Sequence, residues 1–553
     1  MSILLSIFRR PKIVDVDWSP SDPLLSQDPD MPEPSPSPPI MKNTTTRLKD
    51  SPAEFRRVFK DMTWRLFMCW QITSLMNIMF GYDTTSFAGV QSIPAFAREF
   101  GDPMKDGSYA LSASRVSFIS SIGFAGKIVG ALAASVPTEH LGHRRMLWAT
   151  CIIAFAGVAI EATSYTVAQF VVGRIIIYFS VGVSEVVVPM YQAEIVPKSM
   201  RGAVVGSLQL YNQVGQITAA GVNRVFSTAQ ERKGWVIPIT VQAIPPAIVL
   251  FSLLLVPDSP RWLLSRGRRE DALKSLDYVR PRADVASGRS HAELDDIQMA
   301  LENKIGKAPW VDVFRGANLR RTTLVLLILL LQQLTGQGFV SQYSPRFYTS
   351  VGLGAHAFDY NIASATAGWV GCLLGMIASD IYGRRDLLIF GALAQVLFLF
   401  LISGLGSIHN PSSATAGGLV ASVVLFIFFF TGTWPPVSYA IMSEFPAAAV
   451  REKTVGMAIG INVIGAFVVS FSVPYLLDAI SVNIGWLFGG IALFCAFFAY
   501  LCVPETKDRS LEEIDELFLA KIPARKFKST HAIGTGRESS SIEPVERSLS
   551  HRK

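Results

Sequence analysis

The chain has 553 residues, of which half are hydrophobic and only 17% charged, and its mean hydropathy is +0.36. That balance excludes a disordered chain and is foreign to a soluble enzyme of this length, whose several domains would need polar surfaces. The net charge of +7 is spread over short basic clusters between apolar runs, which excludes nucleic acid as a partner and points to the lipid bilayer as the solvent.

Residues 1–60 contain the run Pro32-Glu33-Pro34-Ser35-Pro36-Ser37-Pro38-Pro39. They hold too few apolar groups to offset the entropy of ordering and are expected to form a disordered cytoplasmic tail. Met1–Phe8, followed by Arg9 and Arg10, has neither a leading basic region nor a small-residue cleavage site, so no cleaved signal peptide is expected. The sequon Asn43-Thr44-Thr45 falls in this tail and reads as a chance match.

From residue 64 onward, apolar windows long enough to cross about 30 Å of hydrocarbon recur. They lie near 64–90, 115–136, 146–163, 168–190, 204–222, 235–256, 322–345, 361–380, 387–406, 416–442, 453–477 and 484–503. The expected fold is an all-α membrane protein with twelve transmembrane helices in two six-helix pseudo-symmetric bundles. Residues 61–256 and 322–503 would form the bundles. A charged cytoplasmic linker of short helices would occupy 257–321, and 504–553 would form a cytoplasmic tail, disordered after about residue 520 around Ser539-Ser540-Ser541.

Basic residues mark alternate connections: Arg144 and Arg145, Lys198 and Arg201, the stretch 261–321, Arg384 and Arg385, then Arg451 and Lys453. The connections near 164–168 and 407–415 carry none, so both termini are expected in the cytoplasm. The connection 223–234, with Arg224, Arg232 and Lys233, departs from the alternation.

The chain also repeats itself. Glu194 and Arg201 after the fourth window recur as Glu444 and Arg451 after the tenth; Gly142-His143-Arg144-Arg145 recurs as Gly383-Arg384-Arg385; and Pro257-Asp258-Ser259-Pro260-Arg261 is echoed by Pro504-Glu505-Thr506-Lys507. An offset of roughly 240 to 250 residues marks a parallel repeat of two halves, the internal symmetry of one class of transporter.

Cys69, Cys151, Cys372, Cys495 and Cys502 lie in or beside apolar windows without a CxxC pair, so neither disulfides nor a metal site is expected. No HExxH, G-x-S-x-G or Ser/His/Asp set is present, so no catalytic residue and no cofactor is expected. Asp83 stands in an otherwise apolar first window, where an ionisable group is costly and is by default functional. Lys127 and Glu185 are two further charges within windows, expected to meet each other or Asp83.

Several motifs in order carry a family resemblance: Gly81-Tyr82-Asp83-Thr84, Gly173-Arg174, Tyr191-Gln192-Ala193-Glu194, Pro257 to Leu263, Gln332-Gln333-Leu334-Thr335-Gly336, Asp380 to Arg385, and Pro504-Glu505-Thr506-Lys507. Over about residues 64–520 the chain resembles the sugar porter family of the major facilitator superfamily. Pro436 to Pro446 and Tyr343 to Tyr348 are most similar to its fungal hexose and α-glucoside permease-like members. The resemblance implies a monomeric carrier at the plasma membrane that moves a small hydroxylated solute of the sugar class by proton symport. Asp83 would be the proton-coupling carboxylate and Arg174 its counter-charge. It would also place a glutamate where Lys127 stands. The alternatives are a passive facilitator, a nutrient sensor and a secondary-metabolite exporter.

Sugar hydroxyls call for amides, which both donate and accept, and for ring faces that pack on C–H groups. By the family motifs the substrate-binding candidates are Gln209, Gln332, Gln333 and Asn462, with Gly338, Tyr343 and Tyr439 at neighbouring positions of the pocket. Gly338, Gly368 and Tyr439 replace the asparagines and tryptophan of glucose-type carriers, which is expected to enlarge the cavity. Glu139, Arg144, Glu194, Arg201, Asp380, Arg384, Arg385, Glu444 and Arg451 match the family's cytoplasmic ion-pair network, expected to latch the two halves. Glu139 and His143 replace its usual Asp and Arg. Pro245-Pro246 reads as a static kink, and Pro435-Pro436 with Gly432 as a bend in the tenth window.

Overall fold

The computed structural model describes residues 62–530 apart from 106–108, 198–199, 303–308, 409–411, 448, 508 and 510. The proline-rich tail, the sequon at Asn43, Lys198 and the serine run at 539–541 lie outside the described residues.

Helix covers every apolar window. The first half comprises α1 (Trp64–Val90), the short α2 (Pro94–Phe100), α3 (Ala113–Leu141), α4 (His143–Ala162), α5 (Val167–Ile195), α6 (Arg201–Gly206), α7 (Leu208–Val225), α8 (Lys233–Val241) and α9 (Ile244–Ser252). A charged segment follows with α10 (Pro260–Ser265), α11 (Arg269–Val279), α12 (Arg282–Ala286) and α13 (Arg289–Glu302). The second half comprises α14 (Gly316–Leu334), α15 (Gln337–Ser350), α16 (Ala357–Tyr382), α17 (Arg384–Gly406), α18 (Ser413–Glu444), α19 (Arg451–Ile480), α20 (Ile484–Cys502) and α21 (Leu511–Leu519). Thr63, Ser112, Thr166 and Ser412 start α1, α3, α5 and α18, each accepting a backbone N–H with its hydroxyl oxygen.

Among the described residues, nine segments are long and apolar enough to cross a bilayer. One is the 52-residue Arg451–Cys502, which a 3₁₀ turn at Ser481–Asn483 divides into α19 and α20. Helices α1 and α7 fall below that standard because they bury polar groups: Asp83 and neighbouring Ser and Thr in α1, and Asn212, Gln213 and Asn223 in α7.

Breaks in the helices have local causes. The sixth window divides into α8 and α9 just before Pro245-Pro246, which offer no N–H to the preceding turn. The seventh divides into α14 and α15 at Gly336, whose φ of 88° suits a residue without a Cβ. By contrast α18 runs through Pro435-Pro436 unbroken. Gly432 lies against α16, where a Cβ on Gly375 would meet the Gly432 carbonyl oxygen at 2.1 Å. It is therefore a glycine at a close contact between helices.

The apolar side chains pack into several clusters. One cluster joins Leu66, Leu147, Val187, Tyr191 and Val249, and a second joins Leu324, Phe347, Leu388, Phe426, Trp434 and Cys495. Large apolar side chains such as Leu132, Phe251, Leu254 and Phe497 remain exposed on the outside of the bundle, as a hydrocarbon surround allows. Order also extends past the expected boundary at about residue 520. Phe527, in a 3₁₀ turn at Ala524–Ser529, is buried against Phe518, and Arg509 donates to the carbonyls of Phe527 and Thr530.

Candidate functional site

Asp83 and Arg174 are each 2% exposed, and Arg174 Nη2 lies 3.6 Å from Asp83 Oδ2. The guanidinium is shared. Its Nη1 lies 3.5 Å from Glu161 Oε1 on α4, its Nη2 donates to the Tyr178 hydroxyl at 3.2 Å, and its plane sits over the Phe87 ring at 4.3 Å. Glu161 is fully buried, and its other oxygen accepts from Gln242 Nε2 at 3.0 Å. Asp83 Oδ2 and Arg174 Nε find no hydrogen-bond partner. One cation thus stands between two carboxylates in a site closed to water. Sequence reasoning missed Glu161 and Tyr178, although Glu161 carries the same signal as Asp83: an ionisable residue in an apolar window.

Lys127 and Glu185 meet each other rather than Asp83, with Nζ 2.8 Å from Oε1 and the ammonium 4.1 Å from the centre of the Phe80 ring. Their approach is possible because α3 and α5 touch through glycines: a Cβ on Gly126 would lie 2.3 Å from the Ile175 oxygen, and one on Gly182 would lie 2.1 Å from the Lys127 oxygen. The Glu185 side chain keeps 24% of its surface open, and it lies within electrostatic reach of Tyr439, a 46% exposed residue of the opposite half.

Three of the expected amides converge. Gln333 Nε2 donates to Asn462 Oδ1 at 3.2 Å, while Asn462 Nδ2 donates to the Leu329 carbonyl at 2.9 Å and approaches Gln332 Oε1 at 3.4 Å. Gln209 sits half-buried at the start of α7 and does not join this group. One turn later Gln213 is buried, its Oε1 lacks a partner, and that oxygen lies 3.2 Å from where a Cβ on Gly368 would stand. Gln213 therefore reaches across to the second half, and it is a better candidate than Gln209. Only tertiary packing separates these two residues of one helix.

Two of the expected pocket positions are closely packed in this structure. Tyr343 is completely buried and its hydroxyl donates to the Ser470 carbonyl at 2.7 Å, which ties α15 to α19. Gly338 opens no space, because a Cβ there would meet Val469 Cγ1 at 2.9 Å. The room expected at Gly368 is likewise taken, by Ile427 and Gln213.

At the basic end, Arg384 Nη2 pairs with Glu444 Oε1 at 3.0 Å. Glu505 accepts the backbone N–H groups of Arg384 and Arg385 at 3.0 Å each, and Thr506 Oγ1 donates to Glu444 Oε2 at 2.7 Å. The motif at 504–507 thus caps α17. The Arg385 guanidinium donates to the Tyr500 carbonyl, and that of Arg451 to the Pro446 carbonyl. In the first half Glu194 accepts from Ser259 Oγ and lies 3.7 Å from His143 Nδ1. Glu139 contributes its backbone carbonyl, which accepts from Trp262 and Arg266. Arg144 is half-buried, Arg201 is exposed, and Asp380 lies near the end of α16. The pairs described here run within one half.

Polar bridges between the halves lie elsewhere. Arg224 pairs with Asp359 at 2.5 Å, Gln91 Nε2 donates to the Gln342 carbonyl at 2.9 Å, and Ser117 Oγ donates to the Phe471 carbonyl at 2.7 Å. Arg232 pairs with Glu99, which also accepts from Trp235. Two of the three basic residues that broke the charge alternation, Arg224 and Arg232, are thus neutralised by carboxylates.

A helical bundle with apolar outer surfaces, dry internal charges and an amide cluster between helices defines a polytopic membrane carrier. The profile of the family described as sugar (and other) transporter matches residues 69–518, and the chain belongs to that family. It is 30% identical over 471 residues to the major facilitator-type transporter ecdD of Aspergillus rugulosus, covering 81% of this chain and 86% of that one. It is 28% identical over 463 residues to the low-affinity glucose transporter HXT3 of Saccharomyces cerevisiae, covering 82% of each. Its fold is shared with the inward-open xylose transporter XylE of E. coli, with a TM-score of 0.69 and 24% identity over 82% of this chain and 99% of that one. It is a transporter rather than an enzyme, as these relatives are.

Proposed function

We propose that the chain moves a sugar-class solute by alternating access between two six-helix bundles and couples that movement to protons. The observation that carries the reading is the water-shielded pairing of Asp83 with Arg174 in the first half. A carboxylate so placed binds or releases a proton only when the helices around it rearrange, which ties protonation to conformation. The amides of Gln213, Gln332, Gln333 and Asn462 supply donors and acceptors for hydroxyl groups near the join of the halves.

In this reading all twelve helical windows cross the membrane, with both termini and the charged linker in the cytoplasm of a monomer at the plasma membrane. The bridges Arg224–Asp359, Gln91–Gln342 and Ser117–Phe471 then close the outer side, while the ion pairs of the inner side stay within each half. That combination supports an inward-facing arrangement.

The test is uptake of radiolabelled hexoses, disaccharides and polyols into cells lacking their own carriers, at acidic and neutral external pH, with and without a protonophore. Protonophore-sensitive accumulation of a sugar, abolished by Asp83→Asn, is the expected result. Accumulation that survives Asp83→Asn refutes the coupling role, and absence of uptake by surface-resident protein turns the reading to a sensor or exporter.

A further inference from the structure

Arg174 is a single cation facing two carboxylates that are as buried as it is. With both ionised, the trio carries a net negative charge in a medium that solvates charge poorly. With one proton bound it is neutral, and with two it is positive. The groups facing Glu161 are Arg174 from α5, Asp83 from α1, and Gln242 from the break between α8 and α9, while Tyr178 of α5 bonds Arg174 and Asp83. None adds a second cation. Arg232, at the nearby end of α4, is already engaged by Glu99 and the Ser164 carbonyl.

We propose that Glu161 is the second carboxylate of the proton site: it and Asp83 share one proton across Arg174, so that the buried trio remains neutral. The geometry divides the labour. Glu161 is held on both oxygens, by Arg174 at 3.5 Å and by Gln242 at 3.0 Å, whereas Asp83 is hydrogen-bonded through the Tyr178 hydroxyl alone and its Oδ2 has no hydrogen-bond partner. Glu161 is the resident counter-ion, and Asp83 is the end from which the proton is exchanged. When Asp83 holds the proton, Arg174 stays paired with Glu161 and no lone cation is left in the core. An Asp83–Arg174 pair acting alone would strand the guanidinium on every protonation.

This inference rests on the proton-coupled reading above, but it has a readout that does not depend on transport. Infrared difference spectroscopy of the purified, full-length protein at neutral pH should show the carbonyl stretch of one protonated, water-shielded carboxyl. Glu161→Gln should abolish that band, because Asp83 and Arg174 then balance each other. Asp83→Asn should abolish it by the same count, so either variant suffices if the other does not fold. In cells, Glu161→Gln should displace the uptake-against-pH profile toward acid, and Glu161→Asp should restore it. A wild-type protein without the band, or a band unchanged in Glu161→Gln, overturns the proposal. If the band behaves as expected while wild-type uptake ignores protonophores, the symport reading fails and the shared proton stands as a structural feature.

Discussion

Substituting Gly182 by Ala tests the contact on which the charged interior depends. A Cβ there would sit 2.1 Å from the Lys127 carbonyl oxygen and 2.9 Å from the Ala131 nitrogen, both backbone atoms that cannot rotate away. Restoring an ordinary contact requires α3 and α5 to part by roughly 1 Å, and overpacking of this kind costs about 1–3 kcal/mol. Alanine's better helix propensity returns about 1 kcal/mol at most. Because the clash is with backbone, we place the overpacking cost near the top of that interval, which leaves a net loss of about 2 kcal/mol. Gly221→Ala on α7 is the matched control, since a Cβ there meets nothing within 4 Å, and it should be neutral or stabilising by up to about 1 kcal/mol. Thermal unfolding of the detergent-solubilised protein, followed by fluorescence-detected size exclusion, reads both. A Gly182→Ala variant that melts at or above the wild type would refute the glycine-mediated approach of α3 to α5.

Glu505→Ala removes the acceptor for the backbone N–H groups of Arg384 and Arg385, and should cost about 1–3 kcal/mol, seen as lower thermal stability of the purified carrier. Gln333→Ala and Asn462→Ala break the amide pair between α14 and α19. Each should raise the KM for the transported sugar about tenfold, the equivalent of about 1.4 kcal/mol, with surface abundance unchanged. Arg224→Ala opens a bridge whose partners are 45% and 40% exposed, so solvent screens the pair and its loss should shift the balance of conformations less than about fivefold. Labelling of an engineered cysteine from the outside reads that shift, and a change far beyond it would mean that the pair acts as a dominant lock.

The sequence alone determined the membrane as solvent, the positions of the apolar windows and the placement of charges within them. These properties depend on length and hydrophobicity along the chain, and a bilayer imposes both locally. Asp83 was legible because an ionisable group inside an apolar window stands out, whereas Arg174 and the Gln332–Gln333 pair were legible through the motifs of the family resemblance. Which of these groups touch was decided only by the tertiary structure. Helices that are apolar around most of their circumference carry no stripe to say which face meets protein and which meets lipid. So Gln213 could not be told from Gln209, one turn away on the same helix. Tyr343 could not be seen to spend its hydroxyl on Ser470, and Gly338 could not be seen to make room for Val469 rather than for a solute. Likewise Glu161 on α4 and Gln242 beyond α8 come to Arg174 from separate helices. A charge balance shared among them exists only once those helices pack.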